Sequence, residues 1–214
     1  MDQPTRERRE DDHRVTEAAG EGGGAYELFI GREALTERVR ALGRELDERF
    51  RDAPEDPILV AVLKGSTMFL ADLIRGMTID AAVDFMAISS YSSNEATQVR
   101  IVKDLEHDIT GRDVVIVEDI VDTGLTLTYL KRSLAERGPR SLCTVTLLDK
   151  SARRIVPVEV EHIGFDIPDV FVVGYGMDFQ GRYRNTPDLY AVKDLARLAN
   201  DPLLLVPGLF ASAH

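Results

Sequence analysis

Three acids and three threonines crowd the stretch "VVIVEDIVDTGLTLTYL" from Val114 to Leu130. Four branched apolar residues, Val114 to Val117, end abruptly in Glu118 and Asp119. Asp122 follows, and then Thr123, Gly124, Leu125 and Thr126 open an amphipathic run. The first turn of a helix carries unpaired N–H groups and a partial positive charge, so it is a ready anion site. Gly124 lets the backbone come close, and Thr123, Thr126 and Thr128 add hydroxyls. A phosphate monoester fits such a turn without a lysine. The carboxylates beside it can accept hydrogen bonds from vicinal hydroxyls, such as those of a ribose. The residues therefore read as a ribose 5-phosphate cradle, set against the plainer alternative of a Thr-capped helix with solvated acids.

The elements that must position this cradle follow from periodicity. Leu35, Val39, Leu42, Leu46 and Phe50 recur every three or four residues and mark one face of a helix. "PILVAVL" (57–63) reads as a strand buried on both faces, and "STMFLADLIRGM" (66–77) as a helix with Ser66 near its start. "AAVDFMAISSY" (81–91) and "VRIVKDL" (99–105) read as an extended, antiparallel pair around the polar, turn-rich 92–98. Helix 123–137 turns Leu127, Leu130 and Leu134 inward and stops at Gly138-Pro139. "LCTVTLL" and "VFVVG" (170–174) are further buried strands. Short apolar strands alternating with amphipathic helices predict an α/β fold whose parallel sheet is covered on both faces. Ligands of such sheets bind beyond the carboxyl ends of the strands, where Glu118 and Asp119 stand.

Composition narrows the field. With 214 residues, 44% of them hydrophobic, the chain can bury one sizeable core. A formal net charge of −11 argues against broad binding to nucleic acid or anionic membrane. No apolar stretch approaches the roughly 20 residues that span a bilayer. The single cysteine, Cys143, lies in an apolar run and fits a reducing, cytoplasmic setting. Residues 1–24 are charged and then Gly-rich, an arm with too little apolar content to fold alone. Order is expected from "YELFI" onward. The Pro-broken apolar end, 196–214, reads as a tail that docks or meets another subunit.

"VVIVEDIVDTGLTL" closely resembles the phosphoribosyl-diphosphate signature of type I phosphoribosyltransferases. "VLKGS" (62–66), "SSYSS" (89–93), "LLDKSARR" (147–154) and "GFDIPDVFVVGYGMDFQGRYRN" (164–185) are similar in order and spacing to the hypoxanthine-guanine phosphoribosyltransferases. The resemblance spans about residues 25–195, the expected domain. It implies the type I phosphoribosyltransferase fold: a parallel central sheet flanked by helices, a small hood and a mobile antiparallel lid loop. It also implies purine salvage. A purine base and phosphoribosyl diphosphate would give IMP or GMP and pyrophosphate, with Mg²⁺, in a homodimer or homotetramer.

Roles follow from the same resemblance. Glu118 and Asp119 would hold the ribose hydroxyls, partly through Mg²⁺. Residues 122–126 would hold the 5′-phosphate, with Asp122 as the base that handles the purine N7 proton. Lys64 and Gly65 would form a pyrophosphate loop whose non-proline peptide is cis in relatives. Arg184 would also contact pyrophosphate, and Asp178 would be a second metal-site carboxylate. Lys150 would reach the purine 6-oxo group, Phe171 would stack on the ring, and the Val172 backbone would read its pyrimidine edge. Ser90 and Tyr91 would belong to the lid. Taken alone, Lys150 reads as a solvated charge, Phe171 as core, and Arg153 and Arg154 as surface charges. Val170 departs from the lysine many relatives carry there, which leaves the choice among purines open. Two other readings stand beside this one: a xanthine- or pyrimidine-specific transferase, and a regulator that senses phosphoribosyl diphosphate and binds nucleic acid. The short arm and acidic charge weigh against the second.

Overall fold

The computed structural model describes residues 24–93 and 96–210, without the side chains of 90–99. The charged arm lies outside the described residues.

Among the described residues, nine strands and five α-helices follow one another as β1 (Tyr26–Ile30), α1 (Arg32–Phe50), β2 (Ile58–Leu63), α2 (Thr67–Gly76), β3 (Ala82–Ser93), β4 (Ala96–Lys103), β5 (Asp113–Val121), α3 (Leu125–Ala135), β6 (Ser141–Asp149), β7 (His162–Asp166), β8 (Phe171–Val173), β9 (Leu189–Val192), α4 (Leu195–Asn200) and α5 (Val206–Phe210). Six strands form the central sheet in the order β4-β3-β2-β5-β6-β7. Its pairs are parallel except β3–β4, the expected antiparallel exception. The strand carrying Glu118 and Asp119 is therefore central, flanked on both sides.

Alternation along the strands explains the layers. Side chains of a strand point to opposite faces in turn. Leu59, Ala61, Val115, Val117, Cys143 and Val145 face α1 and α2, where they meet Leu35, Val39, Leu42, Leu46, Phe50, Phe69 and Leu73. Ile58, Val60, Val114 and Ile116 face the other way, onto Leu127, Leu130 and Leu134 of α3. Each of the periodic helix residues read from the sequence is buried. Cys143 is a core residue, and burial pushes its thiol up to about 11.

Three points differ from the sequence reading. "VFVVG" does not join the parallel sheet. Its residues 171–173 form β8 in a separate antiparallel sheet of order β1-β9-β8, which makes the hood. Second, the polar run 92–98 is strand on both sides of residues 94–95, which lie outside the described residues. Antiparallel pairing of Ser92 with Thr97 and Ser93 with Ala96 satisfies the backbone there. Third, β7 and β9 had no clear periodic signal. β7 is a short edge strand held to α1 by Arg38, which donates to the Gly164 and Ile163 carbonyls.

Two carboxylates fasten the hood to the body: Asp72 of α2 accepts from the Tyr175 hydroxyl at 2.6 Å, and Asp188 holds the start of α1. Asp188 accepts from the backbone N–H of Arg32 at 2.8 Å, capping α1, and from the Arg32 guanidinium at 3.2 Å. The apolar tail is docked as far as residue 210: Leu198 and Leu205 are buried against Val173, Tyr183 and Val192 of the hood. No helix among the described residues is long and apolar enough to cross a membrane.

Asp84, in β3, anchors the return from β4. Its carboxylate accepts from the backbone N–H groups of Phe85, Glu106 and His107 and lies 3.0 Å from the His107 ring. Burial pushes its pKa up, but these hydrogen bonds, His107 first, outweigh burial and hold it below the usual 3.8. A lowered carboxylate pKa stabilises the fold above the unfolded value and ceases to do so as pH falls through the folded one. Asp84→Ala is expected to cost about 2–3 kcal/mol at pH 7, because buried N–H donors lose a charged acceptor. The difference from the unmodified chain should shrink as pH falls below 3.8, followed by urea midpoints.

Candidate active site

β5 ends in a cavity of about 310 Å³ at the carboxyl edge of the sheet. Lys64, Gly65, Glu118, Asp119, Asp122, Thr123, Gly124, Thr126, Asp178 and Arg184 all line it, as four separate segments of chain converge. Leu125, Lys150, Phe171 and Val172 stand outside this lining. Leu125 is exposed beside the helix start, Lys150 follows the end of β6, and Phe171 and Val172 lie in β8.

Glu118 and Asp119 are withdrawn from water. Burial, and then the neighbouring Asp119 charge, push the Glu118 carboxyl well above its ordinary value. Burial pushes Asp119 up to about 6, against hydrogen bonds from the Ile120 and Asp119 N–H groups and the charge of Arg184. The position of Asp119 depends on the absence of a side chain opposite. A Cβ on Gly65 would lie 1.6 Å from Asp119 Oδ2. The loop containing Gly65 begins with a cis Leu63–Lys64 peptide, the geometry the resemblance implied.

Gly124 starts α3 in the left-handed region, with φ +84°. A Cβ there would also strike the Val156 carbonyl at 2.8 Å, so the residue must be glycine on two counts. Gly124 has no side chain to cap this helix start, and Thr123 Oγ1 accepts from the Leu125 N–H only at 3.5 Å. The N–H groups of this first turn open on the cavity beside Thr123 and Thr126, an arrangement suited to an anion.

Asp122 is set apart from the other acids. Its Oδ1 is buried, and no aligned hydrogen bond reaches it among the described residues. Arg153 Nε stands 3.1 Å away, close enough for charge attraction but outside hydrogen-bond alignment. Arg154 grips the same loop from behind. One of its nitrogens, Nη1, donates to the Val121 carbonyl at 3.1 Å and the Asp122 carbonyl at 2.5 Å, while Nη2 pairs with Asp149. Asp149 is buried, and burial raises its pKa in spite of that partner. Arg154 is thus an internal strut and not a surface charge. No local pattern in "SARR" separates it from an ordinary exposed arginine.

Lys150 is buried, with its Nζ 3.6 Å from Asp169 Oδ1. Its backbone N–H donates to the Val121 carbonyl at 2.9 Å, which ties the end of β6 to the end of β5. Phe171 meets Phe179 edge to face, ring centroids 5.9 Å apart. Asp178 and Arg184, read from the sequence as separate contacts, pair with each other at 2.6 Å. Arg184 also donates to the Gly176 carbonyl. Ser90 and Tyr91 pair through their backbones with Val99 and Gln98, while their side chains lie outside the described residues.

Among the described residues, no three His, Cys, Asp or Glu side chains converge as a complete metal site. Glu118 and Asp119 nonetheless form an acid pair in a low-dielectric pocket, where a divalent cation would relieve the cost of their charge. A cation there would share its coordination between one or two of these acids and oxygens brought by a ligand.

Comparison with known proteins agrees with this geometry. A family model, the phosphoribosyl transferase domain, matches residues 31–180. The chain is 50% identical over 163 residues to the hypoxanthine phosphoribosyltransferase of Escherichia coli K12, covering 75% of this chain and 92% of that protein. It is 47% identical over 164 residues to the hypoxanthine-guanine phosphoribosyltransferase of Mycobacterium avium, covering 74% and 81%. Among solved structures, the hypoxanthine-guanine phosphoribosyltransferase of Bacillus anthracis superposes with a TM-score of 0.75 at 42% identity, over 79% of this chain and 99% of that one. The hypoxanthine phosphoribosyltransferase of Trypanosoma cruzi gives 0.79 at 34% identity, over 86% and 100%. Sequence identity at this level, across nearly the whole of these relatives and on the same fold, places the chain in the phosphoribosyl transferase family, on its hypoxanthine-guanine branch.

Proposed function

We propose that the chain transfers the 5-phosphoribosyl group of phosphoribosyl diphosphate to N9 of hypoxanthine or guanine, giving IMP or GMP and pyrophosphate. The observation that carries this reading is the convergence in one cavity of the α3 N-terminus, four carboxylates and the Lys64–Gly65 loop. The similarity to proteins named for that reaction supports the choice of substrates.

The ligand lies across the carboxyl end of the sheet. Its 5′-phosphate takes the N–H groups and hydroxyls of residues 123–126, where the helix dipole favours an anion. The ribose hydroxyls meet Glu118 and Asp119. Pyrophosphate faces the Lys64–Gly65 loop and Arg184. Breaking the bond at C1′ leaves positive charge on the ribose and negative charge on the leaving group. Fixed acids below the one and fixed donors around the other lower that barrier without reorganisation. Glu118, Asp119 and Asp178 would hold Mg²⁺ together with diphosphate oxygens, and the ion would neutralise the leaving charge.

The base enters from the side of Lys150, Phe171 and Val172. The Lys150 ammonium donates to the 6-oxo group, the Phe171 ring lies on the purine, and the Val172 backbone reads the far edge. Asp122 takes the N7 proton as the new N9–C1′ bond forms. Its buried, unaligned Oδ1 leaves it free to accept that proton. Ser90 and Tyr91, on the β3–β4 hairpin, close over the site and keep water from the ribose cation. The active species is a homodimer or homotetramer.

A spectrophotometric comparison of hypoxanthine, guanine and xanthine with phosphoribosyl diphosphate and Mg²⁺ tests the assignment. Turnover with hypoxanthine or guanine is expected, and turnover of uracil without either purine would overturn it. Asp122→Asn should lower kcat by roughly 10²–10⁴ with phosphoribosyl diphosphate binding nearly intact. Lys150→Ala should raise the KM for the base and spare the phosphate site, read as an unchanged KM for phosphoribosyl diphosphate. Chelation with EDTA should abolish turnover, and added Mg²⁺ should restore it.

A further inference from the structure

A lysine as deeply buried as Lys150 needs a counter-charge, because an isolated ammonium is costly to desolvate. Among the described residues, the carboxylate paired with its Nζ is that of Asp169, with Oδ1 at 3.6 Å. That separation exceeds a hydrogen bond, so the pair balances charge without engaging the ammonium's donors. Asp169 lies in the short connection between β7 and β8 and is itself 57% exposed. Its Oδ1 also accepts from Arg153 Nη1 at 3.0 Å. One oxygen therefore stands between the base lysine and the arginine that faces Asp122. Exposed ion pairs add little to stability, so a structural role accounts poorly for this placement.

A lysine ammonium has donors and no lone pair, so it can meet a carbonyl oxygen and cannot accept from an amino group. We infer that Asp169 is a specificity-determining positioning residue: its Oδ1, 3.6 Å from Nζ, fixes where the Lys150 ammonium stands, so that it meets a 6-oxo group and disfavours purines that carry an amino group at the 6-position. The inference rests on the reading of Lys150 as the base-binding lysine. Asp169 acts through Lys150 and itself touches no base. Arg153 Nη1, at 3.0 Å, holds the same Asp169 oxygen.

The test compares the unmodified chain with Asp169→Asn, Asp169→Glu and Lys150→Ala, each assayed with hypoxanthine and with adenine at saturating phosphoribosyl diphosphate and Mg²⁺. Asp169→Asn is expected to reduce the hypoxanthine-to-adenine ratio of kcat/KM by about tenfold, mainly through the KM for hypoxanthine. The KM for phosphoribosyl diphosphate should stay within about twofold, and Asp169→Glu should recover most of the ratio. A purely structural defect would instead lower the melting temperature and weaken both substrates together. If Lys150→Ala changes the ratio and Asp169→Asn leaves it within about twofold, the role of Asp169 is refuted while that of Lys150 stands. If neither substitution moves the ratio, the assignment of Lys150 fails, and the role of Asp169 with it.

Discussion

Glu118 and Asp119 sit side by side where burial opposes their charge, with the Asp119 charge adding to it at Glu118 and the Asp178 charge at Asp119. Acids are rarely placed so without a cation to come. Much of the surrounding structure serves this pair. The central position of β5 removes solvent from both sides. Gly65 lends the space that Asp119 occupies, and the Gly176 turn in turn packs on the Gly65 carbonyl. The uncapped start of α3 places its positive end a few residues further along the same chain. A ligand combining phosphate, hydroxyls and a departing polyanion, with a divalent ion, meets each of these needs in one binding event.

The second organising feature is the set of arginines after β6. Arg154 holds the carbonyls of Val121 and Asp122 while pairing with Asp149, and Arg153 spans from Asp122 to Asp169. The turn after β5 and the segments after β6 and β7 are therefore braced against each other by charge. A buried pair such as Arg154–Asp149 adds little net stability relative to apolar packing, but it orients what it touches. The hood reaches the same region from the other side, through Arg184, Asp178 and the Asp188 cap on α1.

Periodicity and turn chemistry made the body of the fold legible. The face of α1, the two-faced burial of β2 and β5, and the stop at Gly138 all depend on local pattern, and local pattern is what a sequence displays. The acids and threonines of the β5–α3 junction were legible for the same reason: they are consecutive. The hood was expected only by resemblance: β8 was read as a strand but placed in the parallel sheet, and β9, with four residues, is too short for alternation to register. β1 was seen as ordered chain, but its antiparallel partner lies more than 150 residues away. Arg154 escaped because its role depends on Val121, Asp122 and Asp149 arriving from other strands. Lys150 and Phe171 took their meaning from family resemblance, since an isolated lysine or phenylalanine carries no such message. The tail was read as docking or meeting a subunit, and through residue 210 it packs on its own hood.

The hydrogen bond from the Lys150 N–H to the Val121 carbonyl has a consequence for scale. It crosses between adjacent strands, which in any sheet lie about 4.8 Å apart. The offset between the turn at Asp122 and Lys150 is consequently calibrated by the sheet's own repeat, as a gauge block is by its thickness.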